Sequence, residues 1–228
     1  MKPVTDHLAL RSDRNPFVHL WKTLSNSNYV KGFTTTTLLS TGGYMLMPFG
    51  SAFSTNNLGL SIESLPVLYG ITGVFTITFG PLFGKLSDKI GKFNVFLIGT
   101  VVSMIMVVIY SNLGLTPFWL VAVLNVLLFV GITSRITASS ALMTALPDPQ
   151  DRGAFMSINS SVQQISGGIA ATVAGMIVVQ KPSGMLENYN ILGYTVIGSM
   201  LGALGLMYVL NKHVESKITA AKKEKVVV

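Results

Sequence analysis

The sequence is short of charged residues and has no cysteine. Of its 228 residues, 11% are charged and 50% are hydrophobic, and the mean hydropathy is +0.57. A soluble domain carries about a quarter charged residues, so this shortage predicts a membrane protein. Without cysteine, the chain has no disulfide framework and no thiol chemistry.

Sequence signals of catalysis are also missing. The chain has no glycine-rich phosphate loop of the ATPase type, no His/Cys/carboxylate cluster with metal-ligand spacing and no visible nucleophile–base pair. We therefore expect no enzymatic activity, no metal and no cofactor. The three histidines, His7, His19 and His213, fall outside the apolar parts of the chain.

The apolar parts of the chain contain no acidic residue. All nine carboxylates fall in polar connections or near the ends: Asp6, Asp13, Glu63, Asp88, Asp148, Asp151, Glu187, Glu215 and Glu224. No side chain with an accessible pKa is thus expected at mid-membrane. These runs therefore supply no group that could by itself carry a proton through a membrane.

What the sequence does have is six apolar runs, at about 32–53, 65–83, 93–110, 117–146, 155–179 and 193–210. A helix of about 20 residues crosses the hydrocarbon core, and barrel strands would be shorter and alternating. The runs predict an all-α integral membrane protein with six transmembrane helices. Residues 1–31 form a leading polar segment, 32–210 the membrane domain and 211–228 a polar tail.

The basic residues predict the orientation. All lysines and arginines except Arg135 and Lys181 fall in the two terminal segments or in the second and fourth connections. By the positive-inside rule, that side and both termini are cytoplasmic. The basic residues behind the net charge of +7 are thus distributed over segments that flank a lipid bilayer, and they report topology. We therefore expect no nucleic-acid partner.

The leading segment contains one helical pattern. Asn15 suits the N-cap and Pro16 the first helical position. The apolar residues that follow recur at helical spacing: Phe17, Leu20, Trp21 and Leu24. The pattern predicts a short amphipathic helix on the membrane surface, with an ordinary connecting helix as the alternative.

Polar content differs among the predicted spans. The third and sixth carry few polar side chains, so we expect much of their surface to face lipid. The first, fourth and fifth carry more, and because polar groups are costly in lipid, these should face protein or water.

The second connection reads GKLSDKIGK, residues 84–92. Its glycines favour a sharp turn, and we expect a short cytoplasmic loop. The spacing of Gly84, Asp88, Lys89, Gly91 and Lys92 resembles the signature loop of the major facilitator superfamily, which lies between the second and third helices of each six-helix half. The resemblance ends at Phe93, where that signature has its second basic residue.

Two further stretches resemble the same family. The connection at 147–153 is similar to its proline-rich loop that ends in Arg152 and Gly153. The following AFMSINSSVQQISGGIAATVAG, residues 154–175, resembles the eleventh helix of drug/proton antiporters and sugar-efflux members. The leading segment is similar to the loop that joins the two halves.

The resemblance implies helices seven to twelve of a twelve-helix transporter in a bacterial inner membrane. It further implies efflux of small molecules, drugs or sugars, coupled to protons, with a missing N-terminal half as partner. The residues of the signature, Gly84, Asp88, Lys89, Gly91 and Lys92, would form a gating latch against that half.

A few polar residues inside the runs are candidates for a cavity. Arg135 is an ionisable residue inside a run; it would contact an anionic or hydroxyl-rich substrate or a carboxylate of the other half, or snorkel as structural glue. Asn159 and Gln163 share a helix face that lines a cavity or only bonds to a neighbouring helix. Tyr44 is a substrate contact or a packed tyrosine, near a kink expected at Pro48.

Two other interpretations stay open. The chain could be a complete six-helix membrane protein with a structural or assembly role. It could also pair with a second copy of itself as a homodimer of half-transporters.

Overall fold

The fold is given by a computed structural model. It describes the backbone of residues 16–227 and the side chains of residues 18 and 20–220. Asn15, the predicted N-cap, the side chain of Phe17 and most of the predicted leading segment lie outside the described residues.

The described chain is mainly helical. The α-helices are α1 Pro16–Ser25, α2 Ser27–Leu46, α3 Gly50–Asn56, α4 Leu65–Ile90, α5 Lys92–Ser111, α6 Phe118–Ala145, α7 Arg152–Ile177 and α8 Tyr189–Val227. Short 3₁₀ turns lie at Met47–Phe49 and Ile62–Ser64, and an antiparallel hairpin pairs β1 Val179–Gln180 with β2 Leu186–Glu187.

Four helical stretches of the described chain are long and apolar enough to cross a membrane. They are Ile62–Ile90, Lys92–Ser111, Phe118–Ala145 and Tyr189–Ala220, which correspond to the second, third, fourth and sixth predicted spans. The protein is therefore a multi-pass membrane protein. The first and fifth predicted spans correspond to the more polar helices α2 and α7, and their crossing of the membrane stays a prediction.

The first apolar run is broken near the expected proline. The α2 helix begins at the N-cap Asn26, whose side chain accepts a hydrogen bond from the Asn28 amide at 3.0 Å. It ends at Leu46, and the chain passes through the 3₁₀ turn that contains Pro48 before α3 resumes at Gly50. Proline has no backbone N–H, so the α-helical hydrogen-bond ladder is interrupted there.

The long helices pack as a curved row, in the order α7, α2, α8, α5, α6 and α4, in which α6 also contacts α8. In α4 only 11% of the most apolar stretch is buried, against 33–39% in α5, α6 and α8. The third and sixth predicted spans, α5 and α8, each have an exposed apolar face, with Ile98 and Leu201 on it. That these faces meet lipid stays a prediction. The second span, α4, is nevertheless the most exposed, because it lies at the end of the row.

A close helix crossing joins α5 to α6. A Cβ added to Gly131 would lie 2.6 Å from the Ser103 hydroxyl and 3.1 Å from the Gly99 carbonyl oxygen. Beside it the Ser134 hydroxyl donates to the Val95 carbonyl at 3.0 Å. Small residues let the two backbones approach closely in this way.

Aromatic and amide contacts join the helix ends on the side away from the predicted cytoplasmic side. Phe53 stacks on Tyr189 with ring centroids 3.9 Å apart. The Asn57 amide donates to the Leu186 carbonyl at 2.8 Å and accepts from the Leu186 amide at 2.9 Å. The hairpin between α7 and α8 is thereby fastened to the end of α3.

Candidate functional site

A cavity of about 250 Å³ opens between α2, α6 and α7. It brings together the four residues that the sequence nominated for a cavity: Tyr44, Arg135, Asn159 and Gln163. The rest of the wall is mixed, with hydroxyls from all three helices and methionine side chains. It includes Thr36, Ser40, Ser139, Ser140, Met143, Met156, Ser160 and Met200.

Arg135 is the charged group of this wall. It lies in the second half of α6, and only 4% of its surface is exposed. Its Cζ is 5.7 Å from the centroid of the Phe96 ring, in a cation–π contact. Its Nε and Nη2 atoms are enclosed and have no hydrogen-bond partner in the described part of the chain. Among the described residues, the positive charge of Arg135 therefore has no counter-charge.

Asn159 joins helices as well as lining the cavity. Its Oδ1 accepts a hydrogen bond of 2.6 Å from the Thr36 hydroxyl of α2. Two turns further along α7 the Ser166 hydroxyl donates to the Thr37 hydroxyl at 3.0 Å. In this structure Asn159 and Ser166 therefore both form hydrogen bonds between α7 and α2.

Gln163 and Tyr44 both line the cavity, but their side chains differ in their contacts with the protein. Gln163 is exposed and makes no side-chain hydrogen bond with the described residues. The Tyr44 hydroxyl donates to Gln164 at 3.1 Å, and its ring covers Gly167, where an added Cβ would lie 2.9 Å from Tyr44 Cγ. Tyr44 is a packed tyrosine that also forms part of the wall.

The expected loop at 84–92 is helical over most of its length. The α4 helix runs through Gly84, Asp88 and Lys89 to Ile90, and α5 begins at Lys92. The turn is confined to Gly91, whose φ of +95° favours glycine. Asp88 therefore lies in the last turn of α4, contrary to the expected place in a loop, and it forms no ion pair or hydrogen bond with the described residues.

Arg152 and Gly153 lie at the start of α7 and are exposed. The contacts of the preceding connection are made by other residues, which we call the Tyr29 clasp: Tyr29, Asp148, Asp151 and Lys217. The Tyr29 hydroxyl donates to Asp151 Oδ2 at 3.0 Å and accepts from the Asp148 amide at 3.2 Å. Burial raises the pKa of Tyr29, so its hydroxyl stays protonated and able to donate.

Lys217 completes the clasp from α8. Its Nζ pairs with Asp148 Oδ1 at 2.6 Å and donates to the Leu146 carbonyl at 3.1 Å, next to the end of α6. A cation at a helix C-terminus is favoured by the helix dipole. The clasp therefore links α2, the connection between α6 and α7, and the C-terminal part of α8.

Sequence reasoning missed several residues of the cavity. Ser139 follows Arg135 by four positions, so helical spacing places it on the same face. Thr36 lies in a run of four threonines, and nothing in that run distinguishes it from its neighbours. The Tyr29 clasp had no local signal, since Tyr29 and Lys217 are both far in the chain from the connection that holds Asp148 and Asp151.

The chemistry available in the cavity is that of binding. Among the described side chains, those of residues 18 and 20–220, no three or more His, Asp or Glu come together as metal ligands. A guanidinium, hydroxyls and an amide beside methionines can hold a small solute by charge, hydrogen bonds and apolar contact.

A family model described as Major Facilitator Superfamily matches residues 14–227. The match covers nearly the whole chain, including every helix that lines the cavity.

Proposed function

This chain belongs to the major facilitator superfamily, a family of membrane transporters of small solutes, and from that premise we propose that it forms one half of a secondary active transporter. The half carries the solute by alternating access, with the cavity between α2, α6 and α7 as its share of the binding site. Two halves that rock about a central site are the general design of such transporters.

The observation that carries this proposal is the cavity itself. One opening collects a buried arginine, several hydroxyls, two amides and three methionines from α2, α6, α7 and α8. Polar and ionisable groups are costly inside a membrane and are kept where they face a water-filled space or a ligand. A structural role alone would not require them to converge on one space.

The open end of the helix row supports a companion half. The α4 helix exposes large apolar side chains such as Val74 and Ile77, and Gly70, Gly73, Gly80 and Gly84 leave room along it. We propose six crossings with both termini in the cytoplasm of a bacterial cell, and a companion of six helices. Gly84, Asp88, Lys89, Gly91 and Lys92 would then meet that companion as a gating latch.

We further propose the direction, the substrate class and the coupling of transport: efflux of drugs or sugars driven by protons. It is supported by the resemblance of residues 154–175 to the eleventh helix of those branches. In the described chain no Asp or Glu lines the cavity. The proposal therefore assigns the proton-carrying carboxylate to the companion half.

Everted membrane vesicles test this function. Vesicles with and without the protein are energised and supplied with ethidium, fluorescein or radiolabelled lactose. We expect at least one of these solutes to accumulate only where the protein is present, and an uncoupler to abolish the accumulation. No difference for any of the three would contradict efflux of drugs and sugars, and accumulation that survives the uncoupler would contradict proton coupling alone.

A further inference from the structure

The starting point is the edge of the Arg135 guanidinium that has no partner. Nε and Nη2, the two enclosed nitrogens without a hydrogen bond to any described residue, lie on the same edge of the planar group. That edge presents two parallel N–H donors, which match the two oxygens of a carboxylate. Arg135 therefore retains the pair of donors that a bidentate anion uses.

The described residues offer this arginine no anion. Lys181 pairs with Glu187 in the hairpin and Lys217 with Asp148 in the Tyr29 clasp, and no described carboxylate lines the cavity beside Arg135. Buried cations are normally paired, because removing a charge from water is costly unless an opposite charge compensates it. The counter-charge of Arg135 must come from outside the described chain.

The wall beside Arg135 suits the remainder of a polar anion. The Ser40, Ser139 and Ser140 hydroxyls line the cavity and form no side-chain hydrogen bond within residues 20–220. Hydroxyls left unpaired in this way can donate to oxygen atoms of a ligand. A cavity of about 250 Å³ holds a molecule of a few carbon atoms to one ring, and its wall offers more donors than a single partner carboxylate would use.

We propose that the solute bound in this cavity carries a carboxylate, and that Arg135 is its anchor. The inference rests on the proposed transport function and names the chemical class of its substrate. The free guanidinium edge is enclosed and its Cζ lies 5.7 Å from the Phe96 ring. The carboxylate therefore engages Arg135 when the side chain swings from that ring towards the cavity.

The test compares matched solutes that differ in charge. The purified full chain in nanodiscs is heated with benzoate or benzamide, and with glucuronate or glucose, and Tm is recorded. A ligand that binds only the folded protein raises Tm, so we expect at least one carboxylate to raise it and its neutral counterpart to leave it unchanged. The shift should disappear in Arg135→Gln and persist in Lys181→Gln, which removes a cation from the exposed hairpin.

Arg135→Lys serves as a second variant if Arg135→Gln cannot be purified. It keeps the charge and loses the two-donor edge, so the carboxylate shift should fall to less than half. Three results would overturn the inference. They are equal Tm shifts with the neutral solutes, no Tm shift with either carboxylate, and an undiminished carboxylate shift in Arg135→Gln.

Failure of this inference can be told from failure of the proposed function. Vesicles that accumulate a solute while neither carboxylate shifts Tm would leave transport standing and remove only the anionic class. If the vesicles accumulate none of the three solutes but a carboxylate still raises Tm in the nanodiscs, the efflux proposal is contradicted. The proposed anion site is then still supported.

Discussion

At the scale of the single residue, Arg135 is expected to lower the stability of the fold and to contribute to binding. A buried charge without a partner destabilises a fold, and uncharged packing of similar volume is often neutral or better. The chain keeps this arginine beside Phe96 with two unpaired nitrogens. Such a residue is expected where binding requires it, because functional sites commonly sacrifice stability.

The first prediction concerns Arg135→Met. Methionine fills a similar length of the α6 surface without a charge, so the free energy of unfolding in detergent should be unchanged or higher by about 1–4 kcal/mol. Solute accumulation in vesicles should be lost. A variant destabilised by more than about 1 kcal/mol would instead identify Arg135 as structural glue.

The sequence could nominate some of the cavity residues and not others, for a physical reason. Arg135 was visible because a charge inside an apolar run is costly wherever it lies. Asn159 and Gln163 were visible as polar residues on one helix face. Whether each faces a cavity or a partner depends on the neighbouring helix: Thr36 bonds Asn159 across α2 and α7, and no spacing within α7 encodes that contact.

At the scale of the element, the α5–α6 crossing gives the second prediction. Gly131→Ala would place a methyl group 2.6 Å from the Ser103 hydroxyl and 3.1 Å from the Gly99 carbonyl. Forcing helices apart in a packed interior costs about 1–3 kcal/mol of unfolding free energy. Thermal denaturation in detergent measures the loss.

Gly198→Ala is the matched control for that crossing. An added Cβ at Gly198 of α8 meets no atom within 4 Å. The change should therefore be neutral or stabilising by about 0.4–1 kcal/mol. Equal losses from the two substitutions would show that backbone effects, and not the close approach of α5 and α6, determine the result.

The hairpin between α7 and α8 gives the third prediction. Asn57→Ala removes both hydrogen bonds to the Leu186 backbone and leaves those groups without their partner, which costs about 1–3 kcal/mol. Hydrogen exchange of the Leu186 amide should also become faster. Asn190→Ala is the control, because the Asn190 side chain bonds only locally, to the Ile191 amide; an identical effect there would refute the fastening role of Asn57.

Element boundaries were predictable where a single residue decides them. The break near Pro48 follows from the missing backbone N–H. The continuation of α4 through Gly84 to Ile90 was not predicted, because a glycine inside a helix costs only about 1 kcal/mol and hydrogen bonds along the helix can offset it. Gly91, with its positive φ, is the residue that ends the helix.

At the scale of the whole molecule, the fold class could be predicted and the packing order could not. Hydropathy and charge placement suffice for a helical membrane protein, since backbone groups in lipid must be satisfied within helices or barrels. The position of α4 at the end of the row depends on which surfaces fit together. Its polar content did not reveal that it would be the most exposed of the four apolar spans.

The fourth prediction concerns the companion half. If the open face of α4 packs against a second six-helix unit, the assembly that transports solute should have about twice the mass of this 24.5 kDa chain, whether as one longer polypeptide or as two chains. Native mass spectrometry of the protein extracted from its membrane measures this. A transporting species of 24.5 kDa would contradict the half-transporter proposal.

The fifth prediction tests the central claim that a water-filled cavity lies between α2, α6 and α7. The chain has no cysteine, so a single Gln163→Cys variant can be exposed in membranes to a charged thiosulfonate reagent. Ile165→Cys is the control, because Ile165 is exposed on the opposite face of α7. We predict rapid labelling at 163 and little at 165, slowed at 163 by a bound solute; no labelling at 163, or equal labelling at both positions, would contradict the account.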